Sequence, residues 1–277
     1  GCYSLAGAQF GVYRDGGDYV NPDAVITTDE NGYGRVDGLP AGDYWIKELK
    51  APQGFALNKE WSSKTVHVPG GGTASYTAVN VPHMDPVGVL LQKVDKETGT
   101  GKPQGGAKLE GAEFEVKFYF GLYGADPAQF GQKPQRTWVF RTDKDGAISY
   151  DTRWLVSGDD LYKSDTGQPG LPVGTLTIQE KKAPEGYLLN PELFTVMITD
   201  DTTEDSFIHT YNAPKIPETV LQLDLTKRLK GSKTPIKGAV FQHTKPDGST
   251  EKVTTDQNGK AVIKGLAYGT HTIEEDS

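Results

Sequence analysis

YWIKELKAPQGF, residues Tyr44 to Phe55, and LTIQEKKAPEGY, residues Leu176 to Tyr187, are two versions of one sentence, and they decide the fold. Successive strand side chains point to opposite faces, so Tyr44, Ile46 and Glu48 share one strand face, as do Leu176, Ile178 and Glu180. Ala-Pro-x-Gly-aromatic follows, where Pro presets a turn and Gly permits its reversal. The Gly-to-Glu spacing is six at Gly42 to Glu48, at Gly174 to Glu180 and again at Gly269 to Glu275. An acid is thereby placed at the end of an apolar face. A single acid there would read as a solvated strand end; three in one register point to a purpose.

Working outward, each copy is preceded by the same two signals. Gly-Ala-x-Phe enters an alternating strand at Gly7 to Phe10, Gly111 to Phe114 and Gly238 to Phe241. Thr-Asp then opens a turn that ends in Gly, at Thr28 to Gly32, Thr142 to Gly146 and Thr255 to Gly259. Downstream, the first two copies reach an Asn 32 residues after the Glu, at Asn80 and Asn212. Such self-similarity marks a tandem repeat, and 277 residues accommodate two or three domains. The 34 Gly and 17 Pro punctuate stretches rich in Val, Ile, Thr, Tyr and Phe, with few windows of helical periodicity, so the chain reads as all-β.

A net charge of -8 without a basic patch gives no grip on nucleic acid or an anionic membrane surface, and no apolar run is long enough for membrane insertion in this segment. Cys2 stands alone, so no intrachain disulfide can form; beside a chain end and without a basic neighbour it reads as inert. Rigidity in an extracellular protein would then need another source. The histidines at 67, 83, 209, 243 and 271 lack ligand spacing and are expected on the surface or on strand faces. Asp143, Asp145 and Gly146 match only part of a calcium loop, so neither a metal nor another cofactor is expected.

The two quoted strands, together with KVDKETG (Lys93 to Gly99) and EGAEFEV (Glu110 to Val116), resemble the SpaA or CnaB-type repeat domains of Gram-positive pilins and adhesins. The resemblance implies tandem prealbumin-like, reverse immunoglobulin-type β-sandwich domains in an extracellular, cell-wall-associated protein. It also implies a spontaneous Lys-to-Asn isopeptide bond promoted by the strand Glu. The expected domains are 1–84 lacking its first strand, 85–215 complete with inserts, and 216–277 lacking its last strand. Met84 to Val87 and the Pro-containing stretch Lys215 to Thr219 are expected to be the joints between them.

Only the middle copy carries all three groups of that chemistry. Val89, Leu91 and Lys93 fall on one strand face, which puts the Lys93 amine among inward apolar residues, with Glu180 as proton shuttle and Asn212 as amide acceptor. Burial favours the neutral forms of amine and acid, so a neutral amine can attack while a protonated acid polarises the amide and relays protons. Enforced proximity supplies much of the rate, with effective molarities of roughly 10⁵ M or more. Glu48 and Asn80 in the first copy, and Lys227 and Glu275 in the third, form incomplete sites. The leading function is a structural, adhesive stalk segment whose chemistry is one self-crosslinking turnover, with neighbouring repeats as its partners. The alternatives are a ligand-binding adhesin that presents Tyr123, Trp138 and Trp154 to a host protein or glycan, and an accessory module of a secreted enzyme. Self-packing of these aromatics weighs ahead of recognition.

Overall fold

The computed structural model describes residues 1–201 and 204–276, and among these there is no α-helix. The first domain holds β1 (Gln9–Arg14), β2 (Ala24–Thr27), β3 (Gly42–Lys50) and β4 (Val66–Val68) in the order β2-β1-β3-β4. The middle domain contributes β5 (Met84–Asp85), β6 (Val89–Asp95), β7 (Glu113–Tyr119), β8 (Arg136–Arg141), β9 (Ala147–Ser149) and β10 (Leu155–Gly158). It continues with β11 (Leu171–Pro172), β12 (Gly174–Lys182), β13 (Leu193–Ile198) and β14 (Lys215–Glu218). The third domain holds β15 (Gln222–Thr226), β16 (Val240–Thr244), β17 (Thr250–Thr254), β18 (Lys260–Lys264) and β19 (Thr272–Glu275).

One sheet recurs. The order β2-β1-β3-β4 reappears as β8-β7-β12-β13, with β10 added at the edge, and in part as β17-β16-β19. The register is the same in all three: Phe10 faces Glu48, Phe114 faces Glu180 and Phe241 faces Glu275. The Phe of Gly-Ala-x-Phe and the strand Glu are therefore cross-strand partners, which is why the two signals travel together. A second layer in the middle domain, β14-β6-β9, covers this sheet. The core between them includes Leu90, Leu91, Phe114, Val116, Phe118, Trp138, Phe140, Leu176 and Ile178.

The Thr-Asp signal also has a physical job, performed identically three times. Thr28, Thr142 and Thr255 each accept at Oγ1 from a backbone N–H of the Gly-Ala segment (Ala8, Ala112, Ala239), at 3.0 Å in every copy. Each hydroxyl donates in turn to a nearby carbonyl, of Leu5, Leu109 or Ile236. The next residue, Asp29, Asp143 or Asp256, accepts two turn N–H groups at Oδ1. Gly32, Gly146 and Gly259 close the turns at φ of 76°, 75° and 69°, the left-handed region that a side chain disfavours. The partial calcium loop at Asp143 is this hairpin turn.

Two joints are placed differently from the expectation. Met84–Asp85 pairs with β11 and is buried, and Asp85 accepts the N–H groups of Thr210 at 2.7 Å and Tyr211 at 2.8 Å. Lys215–Glu218 is a strand of the middle domain, paired parallel to β6, rather than a linker. The alternation of Ile216, Glu218 and Val220, all buried, reveals this once the pairing is known. Val89 is exposed because an irregularity between Val89 and Leu91 shifts the strand; the inward set is Leu91, Lys93 and Asp95.

KVDKETG and APEGY meet at Asp95. Its Oδ1 accepts from the backbone of Glu97 and Thr98, both at 3.0 Å, and from Gln104 Nε2 at 2.8 Å, while Tyr187 Oη donates to Oδ2 at 3.1 Å. Burial alone would raise this carboxyl; the four donors win and hold it below its usual range. Its contribution is therefore present above the unfolded carboxylate value and lost as acidification passes the lower folded value. Asp95→Asn is expected to lower stability by about 1–3 kcal/mol at neutral pH, because buried donors lose a charged acceptor. Tyr187→Phe, which deletes one bond, should cost about 0.5–1.5 kcal/mol. Thermal melting of both variants at neutral and acidic pH checks the order and its narrowing in acid.

Candidate functional site

Glu180 sits at the inward end of the apolar face of β12, and Lys93 on the facing β6, so the sandwich closes over both. Their side chains have no solvent exposure and make an ion pair through Glu180 Oε1. Glu180 Oε2 accepts the backbone N–H of Asn190 at 2.7 Å, and the Phe114 ring lies 5.0 Å from Lys93 Nζ. The third member is Glu218, from β14. Its side chain also has no exposure, and Oε1 stands 2.8 Å from Lys93 Nζ.

Asn212, the expected acceptor, is not brought to this centre. It is solvent-exposed, one residue past Tyr211, whose side chain turns inward to donate to the Leu90 carbonyl at 2.5 Å. The first domain shows which position replaces it. There Glu48 Oε1 accepts from Asn80 Nδ2 at 2.7 Å, and Oε2 accepts the N–H of Asn58 at 2.7 Å. Asn80 lies two residues before Pro82, which bridges Phe55, while Ala56 N–H donates to Val81 and His83 N–H to Gly54. In the middle domain Val220 bridges Tyr187, Leu188 N–H donates to Thr219 and Leu221 N–H to Gly186. Gly54, Phe55 and Ala56 correspond to Gly186, Tyr187 and Leu188, so the residue equivalent to Asn80 is Glu218. It lies six positions beyond Asn212. The shared spacing of 32 was a coincidence of loop lengths.

Asn58 and Asn190 were also missed, although both stand ten residues after their Glu in the sequence. Each turns its N–H onto the Glu and accepts at Oδ1 from the residue two further on. Asn190 Nδ2 additionally donates to the Pro217 carbonyl at 3.0 Å, fastening β14 beside the site. In the third domain Lys227 and Glu275 do meet, at 2.5 Å, but in a partly exposed setting.

The aromatics resolve mostly into packing. Trp138 is completely buried in the core and is no surface contact. Trp154 and Tyr162 pack against that core, and Tyr123 stacks with Phe130 at 6.2 Å. Of the histidines, His243 is buried on a strand face of β16, and His83 is buried outside the strands rather than on the surface. His243 hydrogen-bonds Glu251 at 2.9 Å and His271 at 2.7 Å. Cys2 is buried against the middle domain, where its Sγ accepts the Gly121 N–H, and burial pushes the thiol up.

The fold and this centre define a tandem array of prealbumin-like β-sandwiches. A family profile described as the SpaA prealbumin-like fold domain matches residues 3–82, 88–211 and 222–277, and the chain belongs to that family. β14 falls in the interval between the second and third matches. The Bacillus anthracis TIE protein has a similar structure, with 25% identity and a TM-score of 0.56, over 99% of this chain and 43% of that one. The trypsin-resistant surface T6 protein of Streptococcus pyogenes serotype M6 is 45% identical over 56 residues, which are 20% of this chain and 10% of the relative. A weaker likeness, with a TM-score of 0.38 and 17% identity, extends to BcpA, the major pilin subunit of Bacillus cereus, over 98% of this chain and 83% of that one. The chain thus spans less than half the length of the first two.

Asn190→Ala keeps the backbone donor to Glu180 but removes the tie to Pro217. A loss of about 1–2 kcal/mol is expected, with faster amide hydrogen exchange confined to Lys215–Glu218 and the loop holding Asn190. Unchanged exchange in β14 would show that the strand is held without this bond.

Proposed function

We propose that this chain is a load-bearing segment of an extracellular, cell-wall-associated stalk or adhesin of a Gram-positive bacterium, and that its middle domain is stiffened by an internal amide bond made by Lys93. Its only chemistry is this single self-crosslinking turnover, with Glu180 handling the protons. The observation that carries the reading is the fully buried lysine on β6, held between carboxyl groups from β12 and β14, at the place where the first and last long strands of the domain run side by side.

A covalent tie there joins strands close to the two ends of the domain. Tension arriving through neighbouring domains would pass across the bond and leave the intervening chain folded. The tie also restricts the unfolded chain, which on the chain-entropy account used for disulfides is worth about 4–5 kcal/mol for a loop on the order of 100 residues. With one cysteine in the sequence, no disulfide can do this work.

Close joints between domains suit the same role. Tyr3 Oη donates to the His83 carbonyl at 2.8 Å and accepts the Val173 N–H at 2.9 Å, binding the first domain to the middle one. On the other side Lys264 pairs with Glu97 at 2.5 Å, and Tyr268 Oη donates to the Tyr187 carbonyl at 3.0 Å. A stalk that transmits force benefits from such short connections. The surface location of the streptococcal relative agrees with this assignment.

Lys93→Met removes the amine and keeps an apolar stem in the core. The variant is expected to melt earlier and to be cut faster by trypsin. In single-molecule pulling its middle domain should release the chain between residues 93 and 218, which the wild-type domain withholds. Equal extension of the two proteins would remove the load-bearing role.

A further inference from the structure

We infer that the acceptor of the Lys93 bond is the carboxyl group of Glu218, so that the middle domain matures by losing water rather than ammonia. This rests on the amide-bond reading above and specifies its chemistry. Three independent observations lead to it.

The first is position. The hydrogen bonds around Gly54 and Gly186 make Glu218 the counterpart of Asn80, the carboxamide that touches Glu48 in the first domain. Where the first domain offers a carboxamide to its strand Glu, the middle domain offers a carboxyl.

The second is distance and access. Lys93 Nζ contacts both carboxyls, from Glu180 and Glu218, whereas Asn212 is solvent-exposed in the stretch between β13 and β14. Reacting groups already in contact within a closed core satisfy the proximity requirement, and bulk water, which would compete for protons, is excluded.

The third is unmet polarity. Both oxygens of Glu218 are buried without a hydrogen-bond partner among the described residues, and Lys93 Nζ meets Oε1 at ion-pair distance. Glu180, by contrast, is fully engaged by Lys93 and Asn190. An unsatisfied buried carboxylate is costly, and condensation converts an amine and an acid into one neutral amide. Burial pushes the Glu218 carboxyl up to about 7, and Glu180 adds to the rise against the opposing pull of Lys93. The protonated acid is therefore populated at neutral pH.

The step balances as follows. The Lys93 amine in its neutral form, with two hydrogens, attacks Cδ of protonated Glu218. Glu180 takes one proton from Nζ and delivers it to the departing hydroxyl group. The Nζ–Cδ bond forms, one Cδ–O bond breaks, water leaves, and Glu180 is regenerated as the carboxylate. The loss of oxygen as water needs no oxidant or other reactant.

The test is high-resolution intact mass of the full chain, followed by fragmentation of its proteolytic peptides. Wild type is expected to be lighter than its sequence by one water, with Lys93 and Glu218 in one branched peptide. Glu218→Gln supplies the corresponding carboxamide and should lose ammonia instead, reaching a final mass identical to that of mature wild type. Asn212→Ala should leave the wild-type condensation intact. Loss of ammonia from wild type, with Lys93 joined to Asn212, would overturn the acceptor and keep the internal bond. A full sequence mass, with Lys93, Glu218 and Asn212 all in linear peptides of a protein that gives a cooperative melt, would overturn both.

Discussion

The middle domain is organised around a lysine that no water reaches. Lys93 is held between Glu180 and Glu218, and a polar group so deeply placed is tolerable only while its partners stay where they are. Those partners come from strands far apart in the chain. The Asn190 backbone holds Glu180, its side chain holds β14 through Pro217, and β14 runs parallel to β6 in the register that opposes Ile216 to Lys93. Removing any one of these leaves polar groups in a low-dielectric interior with too few partners. The geometry of the two sheets is therefore coupled to the chemistry between them.

Outside that centre the three domains share a small set of polar connections. A threonine hydroxyl bridges two backbone segments, the following aspartate organises a turn, and a phenylalanine stands opposite the strand glutamate. These bonds satisfy backbone groups that the sheet ladders leave unpaired where strands begin and end. This gives each of the short signals a structural job in every domain. The differences between domains lie in the surroundings: Lys227 and Glu275 pair in a partly exposed setting, and Glu48 meets a carboxamide rather than an amine.

Much of this is legible in the sequence. Strand alternation placed Tyr44, Ile46 and Glu48 on one inward face, and the buried set is the same. Parity and spacing point to Lys93 and Glu180, and they touch. The errors share a cause. Asn212 has the same spacing from Glu180 as Asn80 has from Glu48, but the chain between contains loops, and loop length does not conserve register. Trp138 looked like an insert aromatic, yet it sits on β8 with its ring in the core. Lys215–Glu218 looked like a linker because proline usually weakens a strand; Pro217 is accommodated at the edge of its three-stranded sheet, where its missing N–H breaks no ladder.

By itself the sequence determined the all-β class, the threefold repeat and the burial of one lysine and one glutamate in the middle copy. These follow from local rules: period-two alternation, turn residues that demand positive φ, and recurrence of short signals. Only the tertiary structure decided which group stands third. Whether Asn212 or Glu218 reaches Lys93 depends on how far the chain travels before it pairs with β6. That distance is set by the backbone bonds of Gly186, Leu188 and Leu221 with their partners, not by any count along the chain. Strand pairing is a long-range contact, and a shift of one residue exchanges inward for outward side chains. The identity of the buried acid therefore belongs to the fold.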